Sequence, residues 1–538
     1  MSRYRKGVAL LLAASFAFVA AAGLFATGTQ QTAATGPVTM NYHIPGEPGV
    51  YDPSANWVYE LGVNQWVPLI GWDAVQNEIY PRGATSWTVS ADGLVWTFNI
   101  RRNWLWSDGR PVTAHDYAYG FRATVDPATA SPTAFRLSIV KNATAVTRGE
   151  MPVSELGVTA VDDYTLRITL EAPASWFLVS LSTVGWALPQ WAREQHGPDW
   201  TNPENIVVNG PYKLASRVPN DVYVLEKNPN YYDATNVQIE KINMIIVPSQ
   251  ATALAMYENG ELDTVMVPPA DLDRVRRDPM LSNEFDSVPR LITQMYWFNV
   301  GRPPFDDVLV RKAFAAAIDK ETLVTSITRG GEIATNTTAP PGVFGYVDPS
   351  YGIGIPYDPA QARAYLAEAG FPGGRGLPPI SLGFNFSEFN ANVAQAIQAM
   401  WRTNLGVEVT LNGVEGGAYG TLVAAGEFSV SRAGWAMAYP DANYIHEGLY
   451  HSKTVVGTAR NYRWLSSEFD RLIDQAATEN NLARREELYR QAERILVQDD
   501  AGLIPLFYQA DNRVTKPYLN RILVPLYTQE FWDWTITR

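Results

Sequence analysis

The side chains best suited to metal or acid–base chemistry in this chain are its histidines. There are five in 538 residues: His43, His115, His196, His446 and His451. Only His446 and His451 lie near each other in sequence, with Glu447 between them. A zinc-protease helix needs two histidines four residues apart, so that both face the metal. The spacing here is five, about 140° around a helix. We therefore interpret the pair as solvent-facing loop histidines and predict no metal site.

Other catalytic signatures are also missing from the sequence. Neither the G-x-S-x-G nucleophile elbow nor the G-x-x-x-x-G-K-[ST] phosphate loop occurs. The chain has no cysteine, which excludes thiol catalysis, disulfides, cysteine-ligated zinc and iron–sulfur clusters. The adjacent carboxylates Asp162-Asp163 and Asp499-Asp500 leave a secreted hydrolase with a carboxylate pair as the enzymatic alternative. We predict no catalytic residues and no cofactor.

The elements that would position a site are strands and helices in mixed order. Period-two alternation predicts strands at 96–100, 164–170 and 222–226. Apolar stripes at helical spacing predict core-facing helices within 310–328, 358–369, 392–404 and 482–498, the second of them capped by Asp358-Pro359. No strict βαβ rhythm and no internal repeat is visible. The pattern indicates an α/β (mixed α+β) protein.

Length and composition restrict the class of protein further. A chain of 538 residues is too long for one core, so we expect two or three domains. Hydrophobic residues make up 46% and charged residues only 18%, which excludes a disordered chain. A net charge of −13 argues against a nucleic-acid-binding surface. Aromatic residues make up 12%, and we expect most of the 17 tryptophans to be core.

The N-terminus has the pattern of a secretory signal peptide. Arg3, Arg5 and Lys6 precede the apolar stretch 8–26, and small residues follow. We predict that residues 1–28 direct export to the periplasm. The alternative is an uncleaved membrane anchor, since about 19 apolar residues nearly suffice to span a bilayer. Without a cysteine for acylation, the exported protein is predicted not to be a lipoprotein.

Six segments in fixed order carry a more specific signal. They include Trp106-Ser107-Asp108-Gly109, Ala317-Ile318-Asp319-Lys320 and Arg432-Ala433-Gly434-Trp435, and together they cover residues 86–117, 126–132, 209–229, 260–263, 307–320 and 432–435. This series resembles the extracellular solute-binding proteins of ABC importers, in the oligopeptide-binding class of the peptide/nickel solute-binding family. The resemblance runs from about Asn41 to near the C-terminus.

The resemblance implies a periplasmic-binding-protein-like fold of two lobes, hinged by connecting strands, with an additional third domain. It places lobe I at 36–66, 203–292 and 507–538, the extra domain at 67–202 and the second lobe at 293–506. It also implies a function without chemistry. The protein would capture an oligopeptide or similar solute between its lobes and deliver it, as a monomer, to a membrane permease.

The resemblance further suggests which residues touch the ligand. Arg432 and Trp435 match the motif beside the ligand, and Tyr296 and Trp297 match an aromatic hinge segment. The backbone at Val265 and Met266, together with a loop that includes Asn56 and Trp57, completes the expected contacts.

One departure from the family pattern affects the identity of the ligand. Ala438 stands where the family usually has the aspartate that pairs with the α-ammonium of the peptide. Asp441, three residues later, is a candidate substitute. Gly416 also replaces a frequent tryptophan. The ligand is therefore either a peptide in another register or a molecule without a free amino terminus, such as an oligosaccharide.

Overall fold

The computed structural model of the chain describes residues 36–48, 51–56, 60–73, 76–455, 464–523, 525–526 and 529–537. The predicted signal peptide and Trp57 lie outside these ranges, so the structure does not bear on those two predictions. None of the helices within the ranges has the length and apolarity that crossing a bilayer requires.

The strands of the described residues include the three that alternation predicts. They are β1 Thr39–Ile44, β2 Ile70–Asp73, β3 Glu78–Pro81, β4 Ala84–Val89, β5 Val95–Ile100, β6 Val158–Asp162, β7 Thr165–Thr169, β8 Tyr212–Val218, β9 Val222–Lys227, β10 Lys241–Ile246, β11 Thr264–Met266, β12 Phe285–Phe298, β13 Ile333–Ala334, β14 Ile380–Asn385, β15 Val409–Val414, β16 Val430–Ala436, β17 Leu503–Thr515, β18 Leu519–Asn520 and β19 Thr535–Ile536. β5, β7 and β9 confirm the predicted strands.

The helices of the described residues include all four predicted stripes. The α-helices are α1 Glu60–Val63, α2 Ala114–Val125, α3 Ala143–Thr147, α4 Phe177–Ser180, α5 Gln190–His196, α6 Gln250–Glu258, α7 Leu272–Arg277, α8 Leu281–Glu284, α9 Val308–Ala316, α10 Lys320–Thr322, α11 Pro359–Glu368, α12 Glu388–Leu405, α13 Gly416–Ala425, α14 Asn443–Ile445, α15 Ser452–Val455, α16 Ser467–Thr478 and α17 Leu482–Arg494. The π-helical turns are Leu323–Thr328, His446–Tyr450 and Ile495–Asp499. The 3-10 turns are Pro127–Thr129, Ala134–Leu137, Val153–Glu155, Gly197–Thr201, Ala234–Asn236, Pro269–Asp271, Pro349–Tyr351 and Pro372–Gly374.

Local chemistry explains where these helices begin and which side they bury. The carboxylate of Asp358 accepts hydrogen bonds from two backbone N–H groups of the first turn of α11, at 3.0 and 2.9 Å, and Pro359 occupies the first helical position. In α12, Val393, Ile397 and Trp401 are buried, as their helical spacing predicts. Phe314 of α9, Leu366 of α11 and Leu488 of α17 are buried as well, so all four stripes are core-facing.

One large sheet connects most of the strands. Its order is β15-β14-β16-β12-β17-β11-β1-β10-β9-β8, with β13 added beside β17. Two neighbouring strands, β12 and β17, are the longest of this sheet, with 14 and 13 residues. They pair antiparallel, with a register break between Pro289 and Thr293 and a further shift between Gln294 and Met295. On one side of the break β17 is flanked by β11, and on the other β12 is flanked by β16.

A separate four-stranded sheet has the order β4-β5-β7-β6, and α2 packs against it. This module falls within the segment 67–202, where the resemblance places the extra domain. The domain boundaries themselves remain predictions.

The environment of two histidines corrects a sequence prediction. His446 and His451 are 0% and 4% exposed, so the prediction of solvent-facing loop histidines is wrong. The Nε2 atom of His446 lies 2.5 Å from a carboxylate oxygen of Glu493, and that of His451 lies 3.2 Å from Asp474. These acidic partners, distant in sequence, give the Nε2 atom of each imidazole a partner inside the protein, which offsets part of the cost of burial.

A buried lysine at the start of α10 should make stability depend on pH. Lys320 is 8% exposed, its ammonium donates a 2.6 Å hydrogen bond to Asn336, and burial lowers its pKa to about 7. Between pH 7 and a pKa of about 10.4 in the unfolded chain, the unfolded state binds the extra proton, so stability rises with pH across this window.

We therefore expect Lys320→Met to raise the free energy of unfolding at pH 7 by on the order of 2 kcal/mol. The gain should shrink at pH 9.5, because the folded wild type no longer needs to bury a charge. Urea unfolding of both proteins at the two pH values measures the difference, with the exposed Lys141→Met as control. A gain of the same size at both pH values would contradict this explanation.

Candidate functional site

The pairing of β12 with β16 separates the predicted contact residues onto two faces of the sheet. Tyr296 is the register partner of Arg432, and Gln294 is the partner of Gly434. Because side chains alternate along a strand, these four residues share one face. Trp435, which pairs with Thr293, and Trp297 lie on the opposite face. The structure therefore brings Tyr296 together with Arg432 but separates both from Trp435.

The guanidinium of Arg432 is held by neutral groups. Its Nη1 atom donates to Oδ1 of Asn385 at 3.0 Å, and Nη2 donates to Oε1 of Gln294 at 2.5 Å. Its inaccessible Nε has no partner among the described residues, and none of their carboxylates forms an ion pair with it. Burial lowers the pKa of Arg432, but arginine still keeps its charge. The result is a shielded cation without a counter-ion in the part of the chain that the structure describes.

A small pocket lies beside this cation. It is partly open to solvent, has a cavity volume of about 10 Å³, and is lined by Gln294, Met295, Tyr296, Phe389, Asn390, Val393, Arg432, Leu506 and Phe507. Apolar side chains dominate, and the polar groups are one guanidinium, two amides and one phenol. A low-dielectric wall strengthens the attraction of a guanidinium for a carboxylate. Arg432 therefore offers a cation to an anionic group that approaches the opening of this pocket.

Gly434 makes room for this arrangement. A Cβ atom at this position would lie 2.7 Å from Nη2 of Arg432 and 3.0 Å from Oε1 of Gln294. Any side chain would therefore push the guanidinium away from its amide partner. The glycine of the Arg-Ala-Gly-Trp motif has a steric reason in this structure.

The strand β16 has an open edge next to the pocket. The N–H of Met437 donates to the carbonyl of Leu291, so the backbone groups of Met437 face β12. By the alternation of an antiparallel ladder, the backbone groups of Gly434 and Ala436 face the other way. There β14 pairs with β16 only at Val430 and Ser431. Within the described residues, no strand lies beside Gly434 and Ala436.

The hydroxyl of Tyr419, on α13, closes one end of this open edge. It donates to the carbonyl of Arg432 at 2.6 Å and also lies 3.2 Å from the carbonyl of Gly383 in β14. Beyond it, Gly434 is exposed. An extended ligand can add to such an edge through main-chain hydrogen bonds.

The remaining aromatic candidate belongs to a cluster of rings. The ring of Trp435 lies 5.5 Å from that of Tyr444, which stacks on Phe135 at 6.2 Å. Tyr439 stacks on Trp176 at 5.9 Å and an angle of 5°. Phe135 and Trp176 belong to the segment 67–202, so the chain that follows β16 packs against that segment.

Three further predicted residues occupy separate positions. The side chain of Val265 is fully buried in a core cluster, while its strand β11 lies between β1 and β17. Met266 is half-buried and pairs with Arg513. Asn56 is half-buried, and its N–H donates to the carbonyl of Asp52 in a turn.

Ala438 and Asp441 have different surroundings. Ala438 is half-buried against the core. Asp441 is 3% exposed, and both of its carboxylate oxygens lie 2.8 Å from Nη2 of Arg485. It also accepts hydrogen bonds from the hydroxyl of Tyr489 and the N–H of Asn443. Because its acceptor sites are occupied internally, we leave Asp441 out of the proposed site.

Sequence reasoning missed Gln294, Asn385 and Phe389. Gln294 carried a usable signal, since it stands two residues before Tyr296 and therefore shares its face of a strand. Asn385 and Phe389 gave none, because only the fold brings the end of β14 and the start of α12 to Arg432.

Comparison with known proteins decides the family. Residues 78–456, well over half of the chain, match the model of the bacterial extracellular solute-binding proteins, family 5. The chain belongs to this family. Its recognition from sequence is confirmed, and a solute-binding component of an ABC importer is not an enzyme.

Individual relatives also support the assignment of this chain to family 5. It is 34% identical over 454 residues to the periplasmic oligopeptide-binding protein OppA of Salmonella typhimurium, covering 83% of this chain and 82% of the relative. It is 31% identical over 512 residues to the probable deoxycholate-binding periplasmic protein YgiS of Escherichia coli, covering 93% and 94%.

The fold of the family-5 protein is also confirmed by solved structures. The murein tripeptide binding protein MppA of Escherichia coli superimposes with a TM-score of 0.82 and 30% identity, covering 93% of this chain and 98% of that structure. The periplasmic-binding-protein-like architecture predicted from the motifs is therefore correct.

Proposed function

We propose that this protein binds an oligopeptide in the periplasm and delivers it to the permease of an ABC importer. The open edge of β16 at Gly434 and Ala436, beside the uncompensated cation of Arg432, is the observation that supports a peptide most directly. The edge offers backbone groups to an extended chain, and the guanidinium offers a partner to its carboxylate. Tyr296 completes the wall on the same face.

The predictions about export, oligomeric state and domain boundaries are part of this proposal. Residues 1–28 act as a signal peptide, no lipid is attached, and the mature protein works as a monomer. One lobe consists of residues 36–66, 203–292 and 507–538, and the second lobe consists of residues 293–506. The extra domain is 67–202. The register break between Pro289 and Thr293, in the two strands that join both halves of the large sheet, supports a hinge there.

Mass spectrometry of the ligand that co-purifies with the protein, released by denaturation, tests this function. A thermal-shift panel of peptides provides an independent measurement, since a ligand at 100 times its dissociation constant stabilises by about 2.7 kcal/mol. Stabilisation by peptides supports the proposal. If oligosaccharides or other solutes shift the melting temperature and no peptide does, the peptide assignment fails.

A second candidate is a ligand without a free amino terminus, and the surroundings of position 438 favour it. Ala438 offers no carboxylate to an ammonium group, and the carboxylate of Asp441 is occupied by Arg485. Among the relatives, the one named as a probable deoxycholate-binding protein fits a carboxylate ligand of this kind, and oligosaccharides remain in the same class. In this case the anionic group of a carboxylate ligand would still meet Arg432.

A single substitution tests whether the amino terminus of a bound peptide reaches position 438. We expect Ala438→Asp to increase affinity for peptides with a free amino terminus by about tenfold or more, because a shielded carboxylate would gain an ammonium partner. Isothermal titration calorimetry with one peptide and its N-acetylated form measures the effect, and the acetylated form serves as control. Equal changes for both forms would show that the amino terminus does not reach position 438.

A further inference from the structure

The two side chains that hold Arg432 are both amides. Gln294 accepts from Nη2 and Asn385 accepts from Nη1, at 2.5 and 3.0 Å. A carboxylate at either position would form an ion pair of nearly the same shape, since aspartate and glutamate differ from these amides by one group. Among the described residues, the guanidinium instead has neutral acceptors only, which is electrostatically costly unless a ligand supplies an anion.

Each amide is itself fixed by a further contact. The Nε2 group of Gln294 donates to Oε1 of Gln509 at 3.3 Å, which orients its carbonyl oxygen toward Arg432. The Oδ1 atom of Asn385 is shared with the side chain of Asn390 at 3.3 Å, and the backbone carbonyl of Asn385 accepts from the same group at 2.9 Å. The guanidinium is therefore oriented from two sides without being neutralised.

We propose that Gln294 and Asn385 are positioning residues that set the charge selectivity of the site, by orienting Arg432 while leaving its charge for a ligand carboxylate. This deepens the proposed function and rests on it, because it takes Arg432 as a ligand contact. The substrate class that follows is a ligand with an anionic group at the Arg432 end. A peptide with a free C-terminal carboxylate belongs to this class, and its C-terminal amide does not.

The nearly isosteric variant Gln294→Glu tests the inference. An internal carboxylate beside Nη2 would compete with the ligand for the same guanidinium. The wild type is expected to bind a free-carboxylate peptide about tenfold or more tightly than the same peptide amidated at its C-terminus. In Gln294→Glu this preference should disappear, because the affinity for the free-carboxylate peptide falls to that for the amidated peptide. Asn385→Asp should behave in the same way.

The exposed residue Gln475 offers a matched control, because Gln475→Glu makes the same chemical change on the surface of α16. It should leave the preference for the free carboxylate intact. If Gln294→Glu keeps that preference, the proposed role of Gln294 is wrong. A residue with only a structural role would instead weaken both peptides equally.

The melting temperature of the ligand-free protein provides a readout that does not depend on the ligand. Because Gln294→Glu would give the guanidinium a counter-ion, its melting temperature should exceed that of Gln475→Glu by about 1 °C or more. If no peptide binds the wild type but this rise occurs, the proposed function fails while Arg432 remains an uncompensated cation. If the rise is absent, the charge argument is overturned whatever binds.

Discussion

Replacing Arg432 with methionine is expected to weaken binding of a free-carboxylate peptide by about 30-fold or more, since truncating one partner of a shielded charge pair costs about 2–5 kcal/mol. The ligand carboxylate would then be desolvated against Tyr296, Phe389 and Phe507 without a cation. The ligand-free protein should lose little or no stability, because the variant also removes a guanidinium that has no counter-ion among the described residues.

This opposite behaviour of affinity and stability distinguishes the effect from misfolding. Titration calorimetry with the peptide and thermal melting without it measure the two quantities. Arg363→Met, which removes an exposed arginine on α11, is the matched control and should change neither. Unchanged affinity in Arg432→Met would place the ligand elsewhere, whereas a melting temperature many degrees lower would show that Arg432 supports the fold.

The largest effect on stability is expected at Asp441. Changing it to asparagine should lower the free energy of unfolding by about 3–5 kcal/mol, because it leaves Arg485 as a buried charge without its counter-ion. The side chains of Asp441 and Arg485 are 5% and 3% exposed. Nε of Arg485 also donates to the carbonyl of Ala476, so the guanidinium is held in place and cannot move to solvent.

An exposed ion pair of the same chain gives the comparison. Arg402 and Glu408 lie 2.7 Å apart but are 54% and 70% exposed, so Glu408→Gln should cost less than about 1 kcal/mol. Urea unfolding, followed by tryptophan fluorescence and by circular dichroism, measures both variants. Equal losses would mean that burial does not determine the strength of the pair at Asp441.

Local elements of this fold follow directly from sequence patterns. The alternation at 96–100 corresponds to β5, and Asp358-Pro359 begins α11 because its carboxylate accepts from the first turn. Both features depend on residues within one or two turns of each other. The family motifs extended the prediction to the periplasmic-binding-protein-like architecture.

Side-chain environments that depend on residues distant in sequence could not be predicted from sequence patterns. The burial of His446 depends on Glu493, 47 residues away, and the saturation of Asp441 depends on Arg485, 44 residues away. The environment of Arg432 is assembled from β12, β14 and β16, and no local pattern marks Asn385 as its neighbour. The motif therefore identified the cation, but the fold was needed to show that its partners are neutral.

The alternation along β16 also bears on how such a protein diversifies. Arg432 and Gly434 point to the proposed site, while Ala433 and Trp435 point to the opposite packing layer. Substitutions at residues that face the site can therefore change the preferred ligand without disturbing the packing of residues on the opposite face. A one-residue insertion or deletion within the strand would exchange both sets at once. We therefore expect ligand preference among related proteins to change through substitutions in this strand, while the length of the strand stays constant.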